Sequence, residues 1–155
     1  MNKLVIVSLL FLPFMSYAVD WIDIGKSNDK TLQTFLDYDS VKNTDLRVIG
    51  DSSSYSRNPN APSYINAVFQ QTYINSHPSR KKGYYYSKEQ WIISCKNETY
   101  FIKAYVDYGF KDEVLNSWSS PKVHLSNSDF KYAFPETVAS NNLSYACLTI
   151  DAKES

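Results

Sequence analysis

Gln90-Trp91-Ile92-Ile93-Ser94-Cys95-Lys96-Asn97-Glu98-Thr99-Tyr100-Phe101-Ile102-Lys103-Ala104-Tyr105-Val106-Asp107-Tyr108 is the stretch whose reading decides the fold. Successive side chains of a strand point to opposite faces of a sheet. That spacing puts Trp91, Ile93 and Cys95 on one face of a first strand, and Tyr100, Ile102, Ala104 and Val106 on one face of a second. Lys96-Asn97 between them reads as a two-residue turn, because Asn tolerates the left-handed backbone that such a turn demands. Residues 90–95 and 98–108 are therefore expected to form a hairpin.

Working outward, the run Tyr64-Ile65-Asn66-Ala67-Val68-Phe69-Gln70-Gln71-Thr72-Tyr73-Ile74 carries apolar groups on both faces, which predicts a central strand. Trp21-Ile22-Asp23-Ile24, closed by Gly25, reads as a first strand and residues 34–39 as a second, with Asn28-Asp29-Lys30 turning between them. Leu46-Arg47-Val48-Ile49 is expected to continue the sheet, and residues 50–62, rich in Ser, Asn and Pro, to form an exposed loop. A further strand over 114–118 is limited by Pro121. Near the C-terminus the period changes: Pro135 and Glu136 suit a helix start, and Ala139, Leu143, Ala146, Cys147 and Ile150 share one helical face. Asn141 and Asn142 lower the intrinsic propensity of this helix, so packing must hold it. The fold class expected is α+β, mainly antiparallel: a single meandering sheet of about six strands with a C-terminal helix packed on it.

The composition agrees with a sheet. Aromatic residues make up 15% of the chain, 13 of them Tyr, a bias toward strands and amphipathic surfaces. Residues 1–18 run from Lys3 through an apolar stretch to Ser16-Tyr17-Ala18, a small-x-small cleavage site, and read as a secretory leader too short to span a bilayer. Residues 19–155 then form one exported domain. Lys3 leaves with the leader, so the 16 acidic side chains outnumber the basic ones by one, and no net field recruits nucleic acid or anionic lipid. Cys95 and Cys147 would meet an oxidising compartment, where an isolated pair closes into a disulfide. Constraining a loop of about 50 residues contributes on the order of 4 kcal/mol. A metal site or a catalytic thiol is the weaker reading, since His77 and His124 stand at no zinc spacing from the cysteines and no base is adjacent.

The chain resembles the surface-adhesin protein E family of exported Gram-negative proteins. The residues that carry the resemblance are Trp21-Ile22-Asp23-Ile24-Gly25, Phe35-Leu36-Asp37-Tyr38-Asp39-Ser40, Asn66-Ala67-Val68, the hairpin running from Gln90 through Cys95 to Tyr100, Tyr105-Val106-Asp107-Tyr108, and the helix bearing Cys147. The resemblance implies an antiparallel sheet joined by a disulfide to a C-terminal helix, no enzymatic activity, and binding of host matrix or serum proteins such as vitronectin and laminin; no cofactor is expected. Adhesins of that type can carry a lipid anchor on a cysteine just after the leader. Here Val19-Asp20 follows Ala18, so periplasm, cell surface and release all remain open as destinations.

Candidate sites follow from composition. His77-Pro78-Ser79-Arg80-Lys81-Lys82-Gly83-Tyr84-Tyr85-Tyr86 joins three cations to three tyrosines. Arg80, Lys81, Lys82, Tyr84, Tyr85 and Tyr86 are the candidate partner-binding residues, because Tyr and Arg dominate binding hot spots and a basic cluster suits an acidic or sulfated partner. The plainer reading is a solvated loop entering an edge strand that its lysines protect from aggregation. His77 and His124 read as surface or capping residues. The pairs Asp37/Asp39 and Asp112/Glu113 read as solvated turn carboxylates, and Trp21, Trp91 and Trp118 as packing aromatics. Asn97-Glu98-Thr99 and Asn142-Leu143-Ser144 match the glycan acceptor pattern by chance in a bacterial-looking chain. No nucleophile, base and orienting group assemble from these motifs. The expectation is thus an exported, non-catalytic binding protein. The other reading is a periplasmic accessory protein that binds another envelope component. An exposed edge strand would also let the chain pair with its twin as a homodimer.

Overall fold

Asp29 sets the first hairpin. Its carboxylate accepts the Thr31 N–H at 3.0 Å and the Ser27 hydroxyl at 2.6 Å, while Lys30 takes a left-handed φ of 57°. This turn joins β1 (Trp21–Lys26) to β2 (Leu32–Thr44). The computed structural model describes residues 19–44, 46, 48–49 and 64–155. The expected leader over 1–18 and the expected loop over 50–62 lie outside the described residues.

The main sheet runs β1, β2, β4 (Tyr64–Tyr73), β5 (Tyr86–Ser94), β6 (Thr99–Tyr108), β7 (Val114–Ser119), every neighbour antiparallel. A short β9 (Lys131–Tyr132) adds a seventh strand by pairing with the start of β6, beside the stretch that β7 covers. β4 is central, as its two apolar faces require. One expectation fails here: β3 (Val48–Ile49) does not continue the sheet but pairs in parallel with β8 (Leu125–Ser126) as a separate two-stranded ribbon. Val48 and Leu125 thereby bury against Tyr64 and Ile92, with Phe101 and Phe130 around them, closing a small second core.

The deciding hairpin forms with two corrections. Its last pair is Ser94 with Thr99, so the loop holds Cys95, Lys96, Asn97 and Glu98, and Glu98 rather than Asn97 is left-handed, at φ 52°. Loops of this length are built around a type I turn, which shifts the left-handed position to its end. Lys103 is an extra residue in β6: Ile102 pairs with Trp91, but Ala104 pairs with Gln90. The bulge turns Ala104 and Val106 to the face opposite Ile102.

The C-terminal helix, α2 (Val138–Glu154), opens later than Pro135 and Glu136 suggest. Glu136 is left-handed at φ 60°, and Thr137 is the N-cap, its hydroxyl accepting the Ser140 N–H at 3.2 Å. From there the expected face holds. Leu143, Ala146 and Ile150 pack on Leu36, Val41, Ile65, Phe69, Trp91 and Ile93 in the main core, with Ala139 and Cys147 at its margin. The Cys95–Cys147 disulfide forms, with Cα atoms 5.8 Å apart, and joins the hairpin loop to the helix.

Asn142 also faces inward, fully buried, and neither atom of its amide has a hydrogen-bond partner among the described residues. A buried polar group left unbonded costs about 1–3 kcal/mol, and an apolar group of similar shape removes that cost. Asn142→Leu is expected to raise the urea midpoint, with a stability gain of about 1–3 kcal/mol. A midpoint at or below that of the wild type would show the amide to be satisfied.

Candidate binding surface

The link between β4 and β5 contains α1 (Pro78–Lys81), a single helical turn. His77 caps it, its Nδ1 accepting the Ser79 N–H at 3.1 Å while its ring stacks on Tyr73 at 4.7 Å. Pro78 follows the cap, where its missing N–H costs nothing. The turn ends because Gly83 adopts φ 89° and its N–H closes on the Arg80 carbonyl at 3.0 Å. His77 is thus the capping residue that the sequence suggested.

The turn aims Arg80 back over β5. Its guanidinium lies over the Tyr85 ring, 3.2 Å from the centroid, and Nη2 donates to Asn75 Oδ1 at 3.1 Å. Nη1 is buried with no partner among the described residues. Phe110, 69% exposed, stands beside the same ring at 4.9 Å. Lys81 and Lys82 are exposed at the end of α1, and the Tyr84 N–H donates to Ser79.

Strand alternation divides the three tyrosines. Tyr85 joins Arg80, whereas Tyr86 points to the opposite face, stacks on Tyr108 at 4.5 Å and donates its hydroxyl to Asp112 at 2.9 Å. Burial and then the Asp112 carboxylate push the Tyr86 phenol up to about 12. The structure therefore brings together Arg80, Tyr85 and the two lysines, half-buries Tyr84 nearby, and separates Tyr86 from them. Nor do these residues guard a sheet edge, since β5 lies between β4 and β6. The ordered strands end at β1 on one side and β7 on the other; on β7 Trp118 is 44% exposed and packs against the sheet by stacking on Tyr105 at 5.9 Å.

On the same face as Tyr85 runs an acidic and aromatic row. Glu89 Oε2 accepts Trp91 Nε1–H at 2.8 Å and Gln71 Nε2–H at 3.2 Å, and burial raises the Glu89 carboxyl above the usual glutamate range. Burial, then the charges of Asp107 and Glu89, push the Tyr73 phenol up to about 12. Three of the four carboxylates in the acidic pairs singled out in the sequence have local structural partners. Asp112 accepts from Tyr86, Glu113 accepts the Lys111 N–H at 2.7 Å, and Asp37 accepts the N–H groups of Asp39 and Ser40.

Sequence reasoning missed Asn75 and Phe110. Asn75 sits on the near side of the loop and orients Arg80; Phe110 arrives from the β6–β7 turn, and nothing in its own neighbourhood of sequence points to Tyr85. Among the described residues, no group of three His, Cys, Asp or Glu is placed to hold a metal ion, and no helix is long and apolar enough to cross a membrane. No family model, curated protein or solved structure matches the chain.

Proposed function

We propose that the chain is an exported, non-catalytic binding protein of the kind the surface-adhesin protein E resemblance implies, and that it engages a protein partner through Arg80, Tyr85 and Phe110. The observation that carries this reading is Arg80, whose guanidinium lies over the Tyr85 ring and donates to Asn75 while its Nη1 is left unpartnered among the described residues. An oriented guanidinium beside rigid aromatic area is the composition of a hot spot, because little side-chain freedom remains to be lost on binding. Lys81 and Lys82 add positive charge at the rim, which favours an acidic or sulfated partner. Host matrix or serum proteins such as vitronectin and laminin are the partners that the resemblance suggests.

The test replaces Arg80 with Ala and Lys81 and Lys82 with Ser, and measures binding to immobilised vitronectin and laminin at two salt concentrations. The triple variant should bind about tenfold more weakly or worse and lose part of the salt dependence of the wild type. Unchanged affinity at both concentrations would remove this surface from the reading.

A further inference from the structure

β6 changes neighbours partway along its outer side. β7 pairs with it from Ala104 to Tyr108 and β9 at Thr99 and Tyr100, so no strand lies beside Phe101, Ile102 and Lys103. The chain leaving β7 makes one bond into this interval, the Ser120 N–H donating to the Lys103 carbonyl at 2.8 Å. A cleft of ≈ 330 Å³ remains there, lined by Phe101, Ile102, Tyr105, Trp118, Asp129 and Lys131.

Strand pairing orders that lining. Ile102 and Tyr105 are the partners of Trp91 and Glu89, which stand two residues apart on β5, so the bulge at Lys103 leaves both side chains on one face of β6. Cross-strand partners share a face. Trp118 opposes Tyr105 and stacks on it, while Lys131 opposes Tyr100, two residues from Ile102. The indole and the Lys131 side chain therefore flank the same opening. The two charged groups differ in what they still offer. Asp129 holds three donors: the Lys122 ammonium, the Ser126 N–H at 2.8 Å and the Ser126 hydroxyl at 3.1 Å. Lys131 is exposed and its ammonium has no partner among the described residues.

This lining selects a ligand class. Flat rings and one aliphatic side chain suit an apolar, planar group, which packs on aromatic neighbours by offset or edge contact. Lys131 opposes a cation and attracts an anion. A sugar needs acceptors as well as donors for its hydroxyls, and the carboxylate here is already engaged. Small-molecule sites begin at about 300 Å³, so the cleft has room for one ring and a short acid chain. We propose that it binds a single-ring aryl carboxylate, with the ring among Trp118, Tyr105, Phe101 and Ile102 and the carboxylate on the Lys131 ammonium. The cleft shares no residue with Arg80, Tyr85 and Phe110, so it stands apart from the protein-binding reading.

The experiment titrates the mature, oxidised chain separately with 3-phenylpropionate, its neutral amide, 3-phenylpropylamine and octanoate, following backbone amide, Trp118 indole and Ile102 methyl resonances by NMR. 3-Phenylpropionate should shift the Trp118 and Ile102 signals saturably at millimolar concentration, and each of the other compounds should bind at least about tenfold more weakly. Raising the salt should weaken the carboxylate alone. Trp118→Ala and Lys131→Gln, both at exposed positions, should each weaken 3-phenylpropionate about tenfold, while Arg80→Ala leaves it unchanged. Four outcomes overturn the proposal: no saturable shift with 3-phenylpropionate, an amide or amine that binds as tightly as the acid, octanoate matching it, or full affinity retained in either cleft variant.

Discussion

Replacing Cys95 and Cys147 together with Ser is expected to lower the unfolding free energy by about 4 kcal/mol, the cost of releasing a loop of this length in the unfolded chain. The disulfide closes a separation of 52 residues, spanning β6, β7, β8, β9 and most of α2. Its loss falls hardest on α2. That helix carries Asn141, Asn142 and β-branched Val138, Thr149 and Ile150, all poor helix formers, and Asn142 adds an unpartnered buried amide. With the tether gone, α2 keeps its apolar contacts and the Lys153 bonds to β2 but has little propensity of its own. Urea unfolding of the double variant should show the lower midpoint, and native-state hydrogen exchange should show α2 amides opening before those of β4 and β5. Equal midpoints with unchanged slopes would mean that packing alone fixes the helix and that the bridge is incidental.

The fold was legible wherever a segment is long enough to show its period. Ala67, Val68 and Phe69 declared β4 central, and Leu143, Ala146 and Ile150 declared the buried face of α2. Two-residue strands have no period to read, which is why β3 was expected in the main sheet and β8 and β9 were not anticipated. The bulge at Lys103 was hidden for a related reason: apolar residues flank it on both parities, so an inserted residue leaves the pattern intact while reversing the faces. Of the candidate site, composition showed Arg80 and the tyrosines, but only strand alternation separates Tyr85 from Tyr86, and only the folded chain brings Asn75 and Phe110 to them. Asp37 and Asp39 illustrate the opposite limit. Their sequence setting reads as a solvated turn, yet a break in the β2–β4 register between Asp37 and Lys42 places them in one cleft with Asn66 and Gln90, which lie on β4 and β5.

Phe69→Ala should be the most damaging single truncation in the sheet, costing about 3–5 kcal/mol. Phe69 is fully buried at the middle of the central strand, so neighbouring strands on both sides prevent the site from collapsing around the missing ring. Its ring meets Trp91 edge-on at 4.9 Å, and Trp91 in turn stacks on Tyr100 at 4.3 Å. Loss of the first ring therefore loosens an aromatic column that reaches from β4 to β6. Glu89 reports the change independently, because it is the cross-strand partner of Phe69 and donates order to Trp91 by accepting its indole N–H. Burial raises the native Glu89 carboxyl, so the folded state binds a proton more tightly than the unfolded state does. That contribution is fully present below the ordinary glutamate range and is lost as pH rises through the native Glu89 titration. Water admitted by Phe69→Ala should return Glu89 toward its ordinary value, flattening this part of the stability profile as well as lowering it. Urea unfolding across acidic to neutral pH, followed by tryptophan fluorescence, measures both effects. A loss below about 1 kcal/mol with an unaltered pH profile would show that the core closes over the gap and that Phe69 does not shield the carboxylate.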